Sequence, residues 1–125
     1  MPSRVVHCAL IDDAFTGDAL MALVTPNRFD PPVRRESVAR DWAARGYTCE
    51  TFTDPPGREW NDFMHRSNEL VTVVEGRLWM RVGENECEAG PGDEVFIPRG
   101  TRHSVKNIHR GTTHWLFGYD SSVVR

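Results

Sequence analysis

The sequence predicts an all-β domain, a sandwich or barrel built from roughly eight short strands. Three observations point there. Between residues 47 and 119, β-branched and aromatic residues recur in short runs, several of them alternating with polar residues. Turn chemistry separates the runs: Asp54-Pro55-Pro56-Gly57, Glu75-Gly76, Gly83-Glu84-Asn85-Glu86 and Gly90-Pro91-Gly92-Asp93. The chain has 125 residues, 39% of them hydrophobic, enough for one domain around one core.

The first 35 residues read as a partly irregular N-terminal arm, and residues 36–125 as the β domain. An apolar run, Val5–Ile11, is expected to form a short strand or an arm packed on the body. It is too short for a signal peptide and lacks a small-residue cleavage site after it. Asp18 can cap a short helix over Ala19–Val24, which Thr25-Pro26-Asn27 ends; Asp30-Pro31-Pro32 is a second break. A helix over residues 37–46 leads the domain. Ser37 suits its N-cap and Gly46 its C′ position, and Val38, Ala39, Trp42 and Ala43 form one apolar face. That face is read as packing, with the helix lying as a lid outside one sheet.

The strands then follow in order. Tyr47–Thr53 comes first, then Trp60–His65, Glu69–Glu75, Arg77–Val82, Cys87–Ala89 and Glu94–Pro98. His103–Ile108 and Thr112–Tyr119 complete the set. Glu69–Glu75 carries Leu70, Val71, Val73 and Val74, so it should be buried on both faces.

Charge and cysteines bound the setting. The formal net charge is −3, which gives no basis for a nucleic-acid or anionic-membrane partner. No stretch is apolar enough to span a membrane. Three cysteines, odd in number and without a CxxC pair, fit a reducing cytoplasm.

Three residues carry metal-ligand chemistry: His65, Glu69 and His103. Two neutral imidazoles and a carboxylate suit a divalent first-row metal with open positions. In one extended strand, His65 and Glu69 would be roughly 13 Å apart, at about 3.3 Å per residue. Metal bonds of about 2.0–2.2 Å cannot bridge that gap, so the chain must turn between them. Arg66-Ser67-Asn68 supplies the turn, with His65 ending one strand and Glu69 beginning the next. Pro98-Arg99-Gly100 then aims His103 inward.

The spacing of these residues resembles the cupin family. Gly57, Phe63, Met64, His65, Glu69 and Gly76 fall on the first cupin motif, with one departure. Gly92, Pro98, Gly100, His103 and Asn107 match the second at every position. The resemblance covers about residues 47 to 119 and implies a double-stranded β-helix jelly roll. It carries over three metal ligands, because Phe63 stands where cupins usually have their first His. Phe63 shares a strand face with His65 and should present an apolar wall in the pocket. Trp60 is expected to line the pocket beside it; Asn107 either reaches the pocket or holds a neighbouring loop, the favoured role.

The resemblance implies one divalent ion (Fe, Zn, Ni or Mn), a small-molecule ligand and a homodimer. Dioxygenase-like chemistry or Lewis-acid isomerase or lyase chemistry would follow. The alternative is a non-catalytic ligand-binding or sensor cupin with a degenerate metal site. No residue is identified as a general base. His7 has no partner at a useful spacing, and His109 lies in a polar turn. His114 replaces the missing ligand only if the last strand shows it, rather than Trp115, Phe117 and Tyr119, to the interior. Trp79 and Trp115 are read as pocket or core, and Arg77 and Arg81 as surface.

Overall fold

The computed structural model describes residues 23–120. The strands are β1 (Val24–Thr25), β2 (Glu50–Asp54), β3 (Glu59–Phe63), β4 (Glu69–Glu75), β5 (Leu78–Val82), β6 (Asn85–Ala89), β7 (Glu94–Ile97), β8 (His103–Asn107) and β9 (Thr113–Tyr119). The helix α1 spans Arg35–Ala44. Two antiparallel sheets form, one in the order β1-β7-β4-β9-β2 and the other in the order β3-β8-β5-β6. This is a jelly-roll barrel, as the motif spacing implies.

Period-two alternation explains the core. Val71, Val73, Val95, Ile97 and Trp115 from the first sheet meet Leu78, Met80, Val82, Ala89 and Val105 from the second. The opposite face of the first sheet is also covered. There Leu70 and Leu116 pack against Val38 and Trp42 of α1. Both faces of β4 are therefore buried, in keeping with its near-continuous apolar sequence.

The helix differs from the expected 37–46. It starts two residues earlier, and Arg34 rather than Ser37 takes the N-cap position, with no side-chain cap bond. Packing decides the start, because Val38 and Trp42 are the buried residues of α1 while Ala43 is exposed. The end follows the sequence. Gly46 has φ of 89°, its N–H bonds to Ala43 O, and Tyr47 N–H bonds to Trp42 O, a Schellman arrangement.

Trp42 is held by a buried carboxylate. Glu94 Oε1 accepts from Trp42 Nε1 at 3.0 Å, and Arg45 donates to both Glu94 oxygens at 3.0 and 2.7 Å. Glu94→Ala strands a buried indole N–H and leaves Arg45 without its main partner. It is expected to cost about 3 kcal/mol in denaturant unfolding, as breaking a buried pair does. Asp41→Ala, which touches only the more exposed outer part of this network, should cost under about 1 kcal/mol.

Three further sequence expectations change. The first strand does not run from Tyr47, which forms only a single bridge to Asp120; regular pairing starts at Glu50. Of the expected helix Ala19–Val24, Leu23 is helical and Val24 is instead in β1, paired with Val95 at the edge of the larger sheet; its first four residues lie outside the described residues, as does the Val5–Ile11 segment with His7. Gly76 does more than turn the chain. It has φ of 109°, and a side chain there would collide with Thr113, whose hydroxyl oxygen accepts from Arg77 N–H at 3.1 Å.

Candidate metal centre

Glu69 opens β4 and lies on the same face as Val71 and Val73, pointing into the barrel. His103 opens β8 on the inner face with Val105. Directly opposite Glu69 is Tyr119 of β9, and directly opposite His103 is Phe63 of β3. All four positions thus fall at one end of the barrel. Trp60 and Phe63 are three apart, so strict alternation would separate them. A register shift between them, with Asp62 at φ of 60°, restores both to the inner face, where Trp60 pairs with Val105 and Phe63 with His103. Asp62 N–H donates to Ser104 Oγ at 3.0 Å and fixes the irregularity.

His65 does not end β3, as its sequence position implies. β3 stops at Phe63, and His65 lies in the link to β4. The extra residue of the bulge ends the regular pairing early. The link is pinned instead by its neighbours. Gly100 N–H donates to His65 O at 2.8 Å, and Arg99 N–H to Asn68 Oδ1 at 2.8 Å. The link's far end is tied to the end of β9 by Asn68 N–H to Asp120 Oδ1, at 3.1 Å. The turn that delivers His103 and the link that delivers His65 therefore hold each other.

The result is a converged cluster. One ligand atom from each of His65, Glu69 and His103 lies within 4.8 Å of the others. Glu69 Oε1 stands 3.6 Å from both His65 Nε2 and His103 Nε2. That is within reach of a shared ion but too long for a hydrogen bond. Glu69 is 5% exposed, and its Oε1 has no hydrogen-bond partner. Burial pushes its carboxyl up to about 8. Burial also lowers both imidazoles from their usual value. His103 Nδ1 is 3.1 Å from Thr101 O, an acceptor only, so the ring carries its proton there and turns the Nε2 lone pair toward Glu69.

These observations fit a divalent ion. A buried carboxylate oxygen without a donor, facing two neutral imidazole nitrogens, is a donor set that a cation completes. His65, Glu69 and His103 are the residues that would hold it.

Beside the cluster opens a cavity of about 170 Å³. Phe52, Trp60, Phe63, Trp115, Phe117 and Tyr119 form most of its wall. Phe63 is 39% exposed at the mouth, its ring centroid 6.4 Å from that of His65 and 6.3 Å from that of His103. Asn107, expected in the pocket, is instead locked away from it. Its amide donates to Asp54 O, Pro55 O and Gly111 O, and its Oδ1 accepts from Thr113 Oγ1 at 2.7 Å. Its inner-face position lies at the far end of β8 from His103, where backbone carbonyls and the Thr113 hydroxyl hold it. His114 faces away from the aromatic side of β9 and stands outside the cluster. His109 is exposed in its turn.

Tyr119 and Phe52 are site residues that the sequence did not mark. Tyr119 Oη lies 3.4 Å from His65 Nε2, and burial raises its hydroxyl to about 12. The signal for Tyr119 was the alternation of Trp115, Phe117 and Tyr119. Without the β4–β9 register, nothing connected that face to Glu69.

Phe63 stands next to both histidines, so Phe63→His should add a fourth ligand. Metal affinity is expected to rise by at least about tenfold, the worth of some 1.4 kcal/mol, read by competition with a chelating dye.

The cupin domain family model matches residues 50–119. Among curated proteins, none matches. Solved structures with this fold include the protein TT1209 from Thermus thermophilus, 25% identical with a TM-score of 0.54, over 59% of this chain and 72% of that one. A cupin 2 domain-containing protein from Halorhodospira halophila is 21% identical with a TM-score of 0.56, over 61% and 53%. Oxalate oxidase in complex with the substrate analogue glycolate is 19% identical with a TM-score of 0.55, over 61% and 42%. The chain thus spans about half, or less, of the length of the last two.

Proposed function

The chain belongs to the cupin family, and on that premise we propose that it is a metal-binding cupin. In this reading His65, Glu69 and His103 hold one divalent ion and present it to a small molecule in the aromatic cavity. The observation that carries the proposal is Glu69 Oε1, buried, without a hydrogen-bond partner and 3.6 Å from two imidazole nitrogens. When bound, an ion with three protein ligands supplies a Lewis-acid centre with open positions, suited to oxygenase chemistry with Fe(II) or to isomerisation, elimination or hydrolysis with Zn²⁺, Ni²⁺ or Mn²⁺.

The chain's own residues do the rest. The Thr101 carbonyl orients His103, and Glu69 supplies the one negative charge of the centre. The Tyr119 hydroxyl, protonated up to about 12, acts as a hydrogen-bond donor at the cluster and not as a base. The aromatic walls exclude water from the ligand's body. A cavity of about 170 Å³ is below the range of about 300–1,000 Å³ typical of drug-sized ligands, which favours a small one. The likeness to oxalate oxidase, under 25% identical, supports the fold and leaves the substrate open.

Phe63 supports a second reading, a ligand-binding or sensor cupin without catalysis, because an apolar ring occupies the fourth-ligand position. In either reading the protein acts in the cytoplasm as a homodimer. Among the described residues, no helix is long and apolar enough to cross a membrane.

Metal analysis of tag-free protein tests the proposal. One equivalent of Fe, Zn, Ni or Mn per chain is expected, falling to near zero in Glu69→Ala and in His103→Ala. Protein that takes up none of these ions when each is offered contradicts it. Oxygen uptake with small organic acids under Fe(II) then separates oxygenase chemistry from the other readings.

A further inference from the structure

Asp54 closes β2 and is fully buried, at 0% exposure. In the sequence it is only the first residue of a turn. Its carboxylate accepts from Trp60 Nε1 at 3.1 and 3.3 Å, and its Oδ2 also accepts from Trp115 Nε1 at 3.0 Å. An indole has one polar atom, a donor. Asp54 therefore takes the only polar group of both tryptophans that line the cavity.

The remaining wall is equally apolar. Phe52 makes edge contacts with Trp60, Trp115 and Phe117 at centroid distances of 5.6, 5.5 and 6.3 Å. Val105 adds an aliphatic patch. No Lys, Arg, Asn, Gln, Ser or Thr among the described residues lines this cavity. Its polar atoms are confined to the cluster of His65, Glu69 and His103 and the neighbouring Tyr119 hydroxyl.

We propose that the cavity takes a ligand with a flat, ring-shaped apolar body and polar donor atoms at one end only, and that Asp54 is the positioning residue that enforces this choice. A free indole N–H in the wall would need an acceptor on the ligand. With both N–H groups taken, the wall offers only ring faces and edges. A ligand with a second charge or a second hydrogen-bonding end would lose its water and find no partner, which costs affinity. The inference deepens the metal-centre reading and rests on it only for the ligand's polar end.

Acetohydroxamate and benzohydroxamate share a chelating head and differ in the ring. Their affinities are measured by calorimetry, with tryptophan emission as a second signal, in metal-free and Zn²⁺-loaded protein. Benzohydroxamate should bind at least tenfold more tightly in both forms, and 4-carboxybenzohydroxamate should lose that advantage. Asp54→Leu leaves no acceptor at this position and frees both indole N–H groups. The ring preference should then fall to near one, with a red shift in emission. The comparison of the hydroxamates in wild-type protein tests the idea even if Asp54→Leu does not fold.

Equal affinity for the two hydroxamates in wild-type protein overturns the inference, whether or not zinc binds. So does an Asp54→Leu variant that is less stable but keeps the wild-type preference. Failure to bind zinc with the ring preference intact in metal-free protein removes the metal reading alone.

Discussion

Glu69→Gln makes the metal-free protein more stable at about pH 9, by on the order of 4 kcal/mol, while abolishing metal binding. In the folded metal-free state, burial raises the Glu69 carboxyl from 4.5 to about 8, so the folded form holds its proton more tightly than the unfolded form. That contribution is fully present below about pH 4.5 and is lost as pH rises through about 8. Each tenfold difference in proton affinity between the two forms is worth about 1.36 kcal/mol, which sets the scale. The glutamine is neutral at every pH, so the variant should show none of this fall. Urea unfolding in the presence of a chelator, at intervals from pH 5 to 9, checks it. The two proteins should agree most closely at about pH 5 and diverge progressively above it, the gap nearing its full size at about pH 8. A wild type whose stability does not fall over this range contradicts the buried, partnerless state of Oε1.

Metal affinity should rise with pH, and by one proton only. Binding needs Glu69 ionised and both imidazoles neutral. The histidines, lowered by burial from 6.5, are already neutral above that value. Glu69 alone still holds a proton there. Zn²⁺ affinity is therefore expected to increase about fifteenfold between about pH 6.5 and 8, with a limiting slope of one proton, and then level off. In the protein at about pH 8, zinc at about 100 times its dissociation constant should stabilise by about 2.7 kcal/mol. That corresponds to an increase of roughly 10 °C in Tm for a domain of this size. His103→Ala should lose both the affinity and the rise in Tm. A slope of two protons or more would show that a histidine is charged in the metal-free protein, against the burial that lowers both imidazoles.

Much of this architecture was readable from the residues, and the reasons are local. Turn glycines and prolines marked the strand limits, and the two motifs picked out His65, Glu69 and His103. The apolar run of β4 announced a strand covered on both faces. What the sequence hid depends on register. The extra residue between Trp60 and Phe63 breaks the alternation, so no period could place both on one face. Tyr119 joins the site only because β9 pairs with β4 in a register that sets it opposite Glu69. Asn107 matched its motif position but serves the Asp54–Pro55 and Gly111 loops, since a motif fixes spacing and not the partner. Ser37 had the right chemistry for a cap, yet the packing of Val38 and Trp42 set where the helix begins.

X-ray absorption at the zinc edge of the loaded, tag-free protein addresses the central claim most directly. Two imidazole ligands and a first shell of nitrogen and oxygen only are expected, with one imidazole lost in His65→Ala. A shell with no histidine, with a single histidine or with sulfur would contradict a centre built from His65, Glu69 and His103.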